Sequence, residues 1–359
     1  RKELQDALAI AGAASSVRSS LPTYMSTLIR MRDGKLELVG CDGEMWAKAI
    51  VPAQIQEEGE VCVQQKFLAE IVGALAHDEV RLEHSSGTLV LYSGPSEWKL
   101  MSMDTDMFPP MPEVPATSEV RLKMGLLREA INAVSYAVSE DHTRELLTGV
   151  NFQYDGDTLT LVATDTHRLA VCRVEQPGIG SEIKVVVPEK ALRIIKALPM
   201  GDDEELTLRF DDVRISVDVG TAAVVSQLLN GTFPNWERVV PTEYTRQWTL
   251  DRKQFVDNLK RMTILARDNS HRVKLAGSGD TVVITAQSGR GEAREEVSVL
   301  SENGDLEIAF NVRYILDALG SMPGDGVRVQ ITEASRGTVF RPVDKGDNQF
   351  CVIMPMALN

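Results

Sequence analysis

Apolar residues fall at helical spacing in six places along the chain, and the six form two series. One series has the stripes Leu4, Leu8, Ala11, then Leu127, Ile131, Val134, then Phe255, Leu259, Met262. The other has Leu68, Ile71, Val72, Leu75, then Ala191, Ile194, Ile195, Leu198, then Val312, Ile315, Leu316, Leu319. Spacings of three, four and seven put each set on one helix face, so each predicts an amphipathic helix. Within a series the stripes recur every 121 to 128 residues. The second series sits in three similar runs, VQQKFLAEIVGAL, VPEKALRIIKAL and FNVRYILDAL, each a strand end followed by a helix.

Between the two helices of each unit the pattern switches to period two. KLELVGCDGEMWAKAIV, TLTLVATDTHRLAVCRV and TVVITAQSGRGEAREEVSV predict half-buried strands. The tails DEVRLEHSSGTLVLYSG, EELTLRFDDVRISVDVG and DGVRVQITEASRGTVFRPV predict hairpins. Proline-rich FPPMPEVP at 108–115 and FPNWERVVP at 233–241 follow strand patterns and break them, because proline cannot donate to a sheet ladder. The expected organisation is three similar α+β domains, 1–116, 117–242 and 243–359. Each carries two helices packed on antiparallel sheet.

Composition sharpens this only by exclusion. With 359 residues, 43% of them apolar and 25% charged, the chain is no disordered, collagenous or coiled-coil protein. It contains no apolar run of about 18 residues, so no membrane-spanning helix is expected. No export leader is visible either, and the chain begins at Arg1 rather than Met. Cys41, Cys62, Cys172 and Cys351 lie at least 21 residues apart and offer no CxxC or zinc spacing. They read as buried, reduced thiols of a cytosolic protein.

A net charge of −14 argues against a nucleic-acid partner, but its distribution does not. The predicted helices, taken as 1–18, 64–75, 121–140, 188–198, 251–267 and 310–319, sum to +7, leaving −21 for the remainder. Lys and Arg are good helix formers, which alone could explain the bias. The repeat favours a second explanation: Lys66, Lys190 and Arg313 share one register, just before Phe67, Ala191 and Tyr314. Matched cations on repeated helices would build one basic surface that neutralises phosphates without reading bases.

Four motifs in order, ATDTHRLAV (163–171), FPNWERVVP (233–241), FNVRYILDAL (310–319) and VIMPMAL (352–358), carry a resemblance to the bacterial sliding clamps, the beta subunit of DNA polymerase III. The likeness covers essentially the whole chain. It implies a head-to-tail dimer closing into a six-domain ring, the DNA clamp fold, with twelve helices lining the hole. At ~8–10 Å between helices the lumen would be ~35 Å across helix axes, room for a hydrated duplex. The implied partners are double-stranded DNA, held topologically and without sequence preference, and a second copy of the chain. Further implied partners are the DNA polymerase III alpha subunit, an ATP-driven clamp loader, other polymerases, ligase and mismatch-repair proteins. The resemblance implies a cytoplasmic, nucleoid-associated processivity factor; a clamp-like paralogue that interferes with replication is the alternative.

The resemblance also implies sites. Arg18, Lys190, Arg193, Lys196, Lys253, Lys260 and Arg313 would face DNA. A cleft taking short motifs of glutamine with aliphatic and aromatic residues would be built by Leu147, Thr164, Thr166, His167, Arg168, Leu169, Pro234, Arg238, Val239, Asn311, Tyr314, Val352, Ile353, Met354, Pro355, Met356 and Leu358. Leu, Val, Met and Pro would give the apolar pocket, and His167 with Arg168 and Arg238 the polar anchors. The family usually has glycine where Thr166 stands, and a basic residue near Ala357. Ile264 and Leu265 would meet Trp98 and Leu100 of a second copy, with Glu292, Glu295 and Glu296 near Lys66. Replacing Leu265 by Asp is expected to give monomers.

Asp165, Thr166 and His167 also invite an enzymatic reading. A nucleophile needs a base and a group orienting that base, and a metal needs three or four ligands. The other histidines, His77, His84, His142 and His271, form no HxxxH or HExxH pair, and no phosphate-binding glycine loop is present. GSGD and QSGRGE read as hairpin turns. No catalytic residue, cofactor or metal is expected.

Overall fold

The computed structural model describes residues 1–176, 181–303 and 305–358. Its chain divides into two compact units. Residues 1–127 and 187–229 make up most of the first, and 128–176, 183–186 and 230–358 the second.

The first unit is organised on an eleven-stranded sheet. Its order is Arg81–Ser85, Thr88–Ser93, Ser96–Met103, Gly59–Gln64, Ser26–Arg32, Lys35–Cys41, Met45–Pro52, Ala222–Gln227, Arg214–Asp218, Glu205–Phe210, Ser118–Lys123. The predicted hairpins are all present. The strand Met45–Pro52 of the first repeat pairs with Ala222–Gln227 of the second, Ala47 opposite Val224. Backbone hydrogen bonding thus runs through the expected repeat boundary, which removes two sheet edges.

The second unit holds a nine-stranded and a four-stranded sheet. The larger runs Ile183–Pro188, Gly149–Tyr154, Thr158–Thr164, Arg168–Glu175, Gln349–Ile353, Thr338–Pro342, Gly326–Ile331, Arg246–Asp251, Leu300–Glu302. Here too the second repeat joins the third, Ala170 opposite Cys351. The smaller runs Gly291–Ser298, Thr281–Ser288, Arg272–Ser278, Leu306–Asn311.

Six α-helices occur among the described residues: α1 (Lys2–Ala14), α2 (Gln65–Ala74), α3 (Met124–Val134), α4 (Glu189–Lys196), α5 (Arg252–Ala266) and α6 (Val312–Ser321). Their predicted stripes are buried, Ile71 and Leu316 only partly. α1 and α2 pack with Ile29, Leu38, Val61 and Leu89 in one core, and α5 and α6 with Phe310, Phe340 and Cys351 in another. α1 lies so close on its sheet that a Cβ at Gly40 would run into the Ala11 carbonyl.

Helix boundaries correct the charge reading. α1 stops at Ala14 and Arg18 lies in the polar loop SSVRSSLP after it, as that segment's composition implies, while Arg121 and Lys123 belong to a strand. α1 itself holds Lys2 against Glu3 and Asp6, and in α2, α3 and α6 one cation faces one carboxylate. The positive surplus is confined to α4, with Lys190, Arg193 and Lys196, and α5, with Arg252, Lys253, Lys260 and Arg261. The helices are therefore not basic as a class. Arg1, Arg18, Arg121, Lys123 and Arg267 flank the helices and do not belong to them.

All four cysteines are buried free thiols. Burial pushes Cys41, Cys62 and Cys172 up to about 11 and Cys351 to about 12.

Candidate functional site

The ATDTHRLAV motif is a hairpin whose turn is held by its own side chains. Asp165 Oδ1 accepts from the backbone N–H of His167 at 2.9 Å and of Arg168 at 3.0 Å. Thr164 Oγ1 donates to the Arg168 carbonyl at 2.7 Å and accepts from the Thr166 N–H at 3.1 Å. Such local bonds are what Asp and Thr supply at turns. Thr166 has a φ of 78°, a left-handed conformation that strains a β-branched residue. The glycine that the family resemblance leads one to expect here would adopt that φ without cost. Arg144 Nη1 donates to the Thr166 hydroxyl at 3.4 Å.

Strand register builds the floor. Leu169 lies opposite Val352 and Arg168 opposite Ile353. Side chains alternate across a sheet, so Leu169 and Val352 share one face and Ile353 takes the other. Ile353 joins the core beneath α5 and α6 and does not line the face of Leu169, contrary to expectation. Leu147, Leu169 and Val352 are buried, while Met354 is 42% and Val239 55% exposed. Pro234, Arg238, Thr166, His167 and Leu358 are exposed as well; Thr164, Asn311, Tyr314, Pro355 and Met356 are half-buried. The Met354 N–H donates to the His167 carbonyl at 2.9 Å, and the Met356 N–H to Ala309 at 2.7 Å. These bonds dock the C-terminal segment beside the turn.

The polar residues divide differently from the expectation. Arg168 is not an open anchor. Its side chain is 11% exposed and pairs with Asp165 at 3.0 Å and Asp317 at 2.5 Å. Its guanidinium lies 4.6 Å from the Tyr314 ring centre and 5.4 Å from that of Tyr136. Burial alone would lower its pKa, but the two carboxylates more than offset that and hold it above the ordinary value. Arg238 is exposed and has no charged partner among the described residues. The His167 ring stacks on Tyr314 at 6.2 Å and 17°. Asn311 Oδ1 accepts from the Arg313 N–H and caps α6. Asp165 spends its oxygens on the turn and on Arg168, which removes it as an orienting group for the imidazole. Among the described residues no cluster of three or more His, Cys, Asp or Glu could hold a metal.

Asp317, Tyr136 and Arg144 join the site through tertiary contacts that sequence motifs do not mark. Asp317 lies 149 residues from Arg168 in sequence, and no local pattern signals such a pair.

In the first unit Arg18 is exposed. Lys190 is bonded to Asp42 and 36% exposed, and Arg193 pairs with Glu189 at 3.1 Å, so these two cations are partly neutralised where they stand. Trp98 is 45% exposed and Leu100 half-buried, on a strand whose residues Ser96–Met101 pair on one side only. Lys66 is exposed beside Glu70. In the second unit Lys253, Lys260 and Arg313 are exposed. Ile264 is 62% exposed, while Leu265 is partly buried against its own core. Glu295 pairs with Arg261 at 2.6 Å and Glu296 with Arg294 at 2.5 Å; Glu292 shares their edge strand. A pocket of about 340 Å³ brings Ile264 together with Arg313, Thr263, Arg267 and His271.

Comparison with known proteins covers the same length. Family models described as the N-terminal, central and C-terminal domains of the DNA polymerase III beta subunit match residues 1–112, 121–235 and 237–357. A beta sliding clamp of Staphylococcus aureus is 29% identical over 356 residues, covering 96% of this chain and 94% of that protein. The Thermotoga maritima DNA polymerase III beta subunit superposes with a TM-score of 0.93 at 25% identity, covering 100% of this chain and 98% of that one. A Pseudomonas aeruginosa sliding clamp bound to griselimycin gives 0.92 at 29% identity, covering 99% and 98%.

Proposed function

The chain belongs to the DNA polymerase III beta-subunit family, the bacterial sliding clamps, and from that premise we propose how its residues do the work of a clamp. Two copies associate head to tail through two different faces, a heterologous contact that closes into a ring. Ile264 and Leu265 of one copy meet Trp98 and Leu100 of the next. The open edges Ser96–Met101 and Gly291–Ser298 supply unpaired backbone groups to that contact. The closed ring encircles duplex DNA and slides. Arg18, Lys196, Lys253, Lys260 and Arg313 face the phosphates, while Lys190 and Arg193 contribute less because each is paired with a carboxylate of its own unit. The ring carries out no reaction of its own.

Partners dock where Leu147, Leu169 and Val352 form an apolar floor and Met354, Val239 and Pro234 its rim. Met354 adapts to different side chains, and Arg238, His167 and Thr166 orient the motif. The class of ligand is a short peptide combining glutamine with aliphatic and aromatic residues. The DNA polymerase III alpha subunit, the clamp loader, other polymerases, ligase and mismatch-repair proteins would present it, in the cytoplasm at the nucleoid. No helix among the described residues is long and apolar enough to cross a membrane.

The observation that carries this reading is the unbroken match of all three domains in order. It favours the processivity factor over an interfering paralogue. The test is topological. The protein is loaded with its loader onto nicked circular plasmid and isolated by gel filtration, and the plasmid is then linearised. Loss on cutting, at salt that weakens phosphate contacts, is the expected result. Equal retention on circle and line would mean binding by contact and would overturn the reading.

A further inference from the structure

Five side chains of the second unit alternate ring and cation in one stack: Trp236, Arg173, Phe350, Arg341, Tyr244. The Arg173 guanidinium lies 6.0 Å from the Trp236 ring centre and 5.6 Å from that of Phe350. Arg341 lies 5.5 Å from Phe350 and 5.8 Å from Tyr244. Hydrogen bonds lock the stack sideways. Arg173 Nη1 donates to the Asp347 carbonyl at 3.0 Å, Arg341 pairs with the Asp347 carboxylate, and Arg341 Nη2 donates to the Tyr244 hydroxyl at 3.0 Å. Trp236, Phe350 and Arg341 are each less than 8% exposed.

The two ends of the stack and its middle belong to different parts of the chain. Trp236 and Tyr244 lie in the connection between the strands Ala222–Gln227 and Arg246–Asp251. Arg173, Arg341 and Phe350 lie on three neighbouring strands of the nine-stranded sheet. Val171 pairs with Phe350 and Leu169 with Val352. Alternation then puts Leu169, Val171 and Arg173 on one face with Phe350 and Val352. The stack stands on the same face as the apolar floor, two residues along the strand from Val352. Trp236 also opens the short 3-10 turn that ends at Arg238 and Val239, both exposed.

We infer that this stack sets the position of one wall of the peptide cleft, with Arg173 as the positioning residue; the inference rests on the cleft assigned above. An aliphatic contact would cover the sheet equally well but would let the connection slide. A guanidinium held between two rings and bonded to a carbonyl admits one arrangement. Arg341 is a buried cation, retained at a desolvation cost, and fixing a register is the best attested use of such a group; Arg173, half-buried, shares the Phe350 ring with it. Arg173 touches no partner in this scheme. It acts through Trp236 on Pro234, Arg238 and Val239.

The test uses the full-length protein and a synthetic peptide of the glutamine–aliphatic–aromatic class. Arg173→Met keeps the stem and removes the guanidinium. It is expected to weaken peptide binding about three- to tenfold, the size of one or two lost cation–π contacts. It should also speed amide hydrogen exchange across 233–245. Arg173→Lys, which keeps the charge, should recover part of the affinity and serves if the Met variant does not fold. The deciding measurement is a double-mutant cycle. Because Arg173 acts through the wall, its effect should vanish in a Val239→Ala, Arg238→Ala background and persist beside Met354→Ala. Unchanged affinity in Arg173→Met, or an effect that adds fully to the wall substitutions, overturns the inference while leaving the cleft intact. Failure of the unmodified protein to bind, or binding indifferent to Met354→Ala and Val239→Ala, overturns the cleft itself and the inference with it.

Discussion

The Arg168 guanidinium lies 4.6 Å from the centre of the Tyr314 ring and also ion-pairs with Asp317, one turn further along the same helix. One side chain from a hairpin turn thereby fastens α6, whose N-terminal residues stand beside the candidate cleft. Removing it leaves Asp165, 15% exposed, without its cation. Arg168→Ala should therefore cost about 2 kcal/mol of stability, read as a lower denaturation midpoint in urea. Arg168→Lys should recover less than half, since an ammonium cannot bridge two carboxylates while lying flat on a ring. Equal stability of all three proteins would show that the cluster is dispensable.

Thr166 offers the opposite result. At φ 78° its backbone stores strain of about 1–3 kcal/mol, against which glycine loses about 0.5–1 kcal/mol through unfolded-chain entropy. Thr166→Gly is expected to stabilise the protein by about 1 kcal/mol in a denaturation curve. It also removes the side chain bonded to Arg144 and opens the rim, so peptides bulky at that point should bind more tightly. Destabilisation by Thr166→Gly would mean that the turn bears no strain.

Self-association is tested most cleanly at Ile264. Leu265→Asp is expected to give monomers, but Leu265 is also half-buried in its own core, so that change lowers stability as well. Ile264 is 62% exposed. Ile264→Glu should yield monomers in sedimentation velocity with the melting temperature of the dissociated protein unchanged. A dimeric mass for Ile264→Glu would exclude this face from the contact.

The thiols predict a pH window. In the unfolded chain each titrates near 9.0. In the fold, burial raises Cys41, Cys62 and Cys172 to about 11 and Cys351 to about 12. Between these values the folded state holds more protons, so their contribution is whole below pH 9 and is lost as pH rises towards 11–12. Denaturation midpoints should fall across that window and fall less in a Cys351→Ala variant, compared with its own value at pH 8. At pH 8 the native protein should resist iodoacetamide, and denaturant should expose four reactive thiols.

Much of this molecule was legible in its sequence. The six amphipathic stripes, the alternating runs and the proline breaks gave the helices, hairpins and threefold repeat, because burial of one face imposes a period on the chain. Residues that are apolar, local and periodic announce themselves: Leu127, Leu259 and Ile315 follow from spacing alone and are buried. Tertiary structure decided what depends on distance. Whether Arg168 faces a ligand or Asp317, and whether Lys190 faces DNA or Asp42, turns on carboxylates 149 and 148 residues away. The joining of repeats through Ala47 and Val224 into one sheet, and the stack that ties Trp236 to Arg173, were equally hidden. A side chain's partner is set by where the backbone carries it, and a charged residue reads the same in sequence whether it is paired or free.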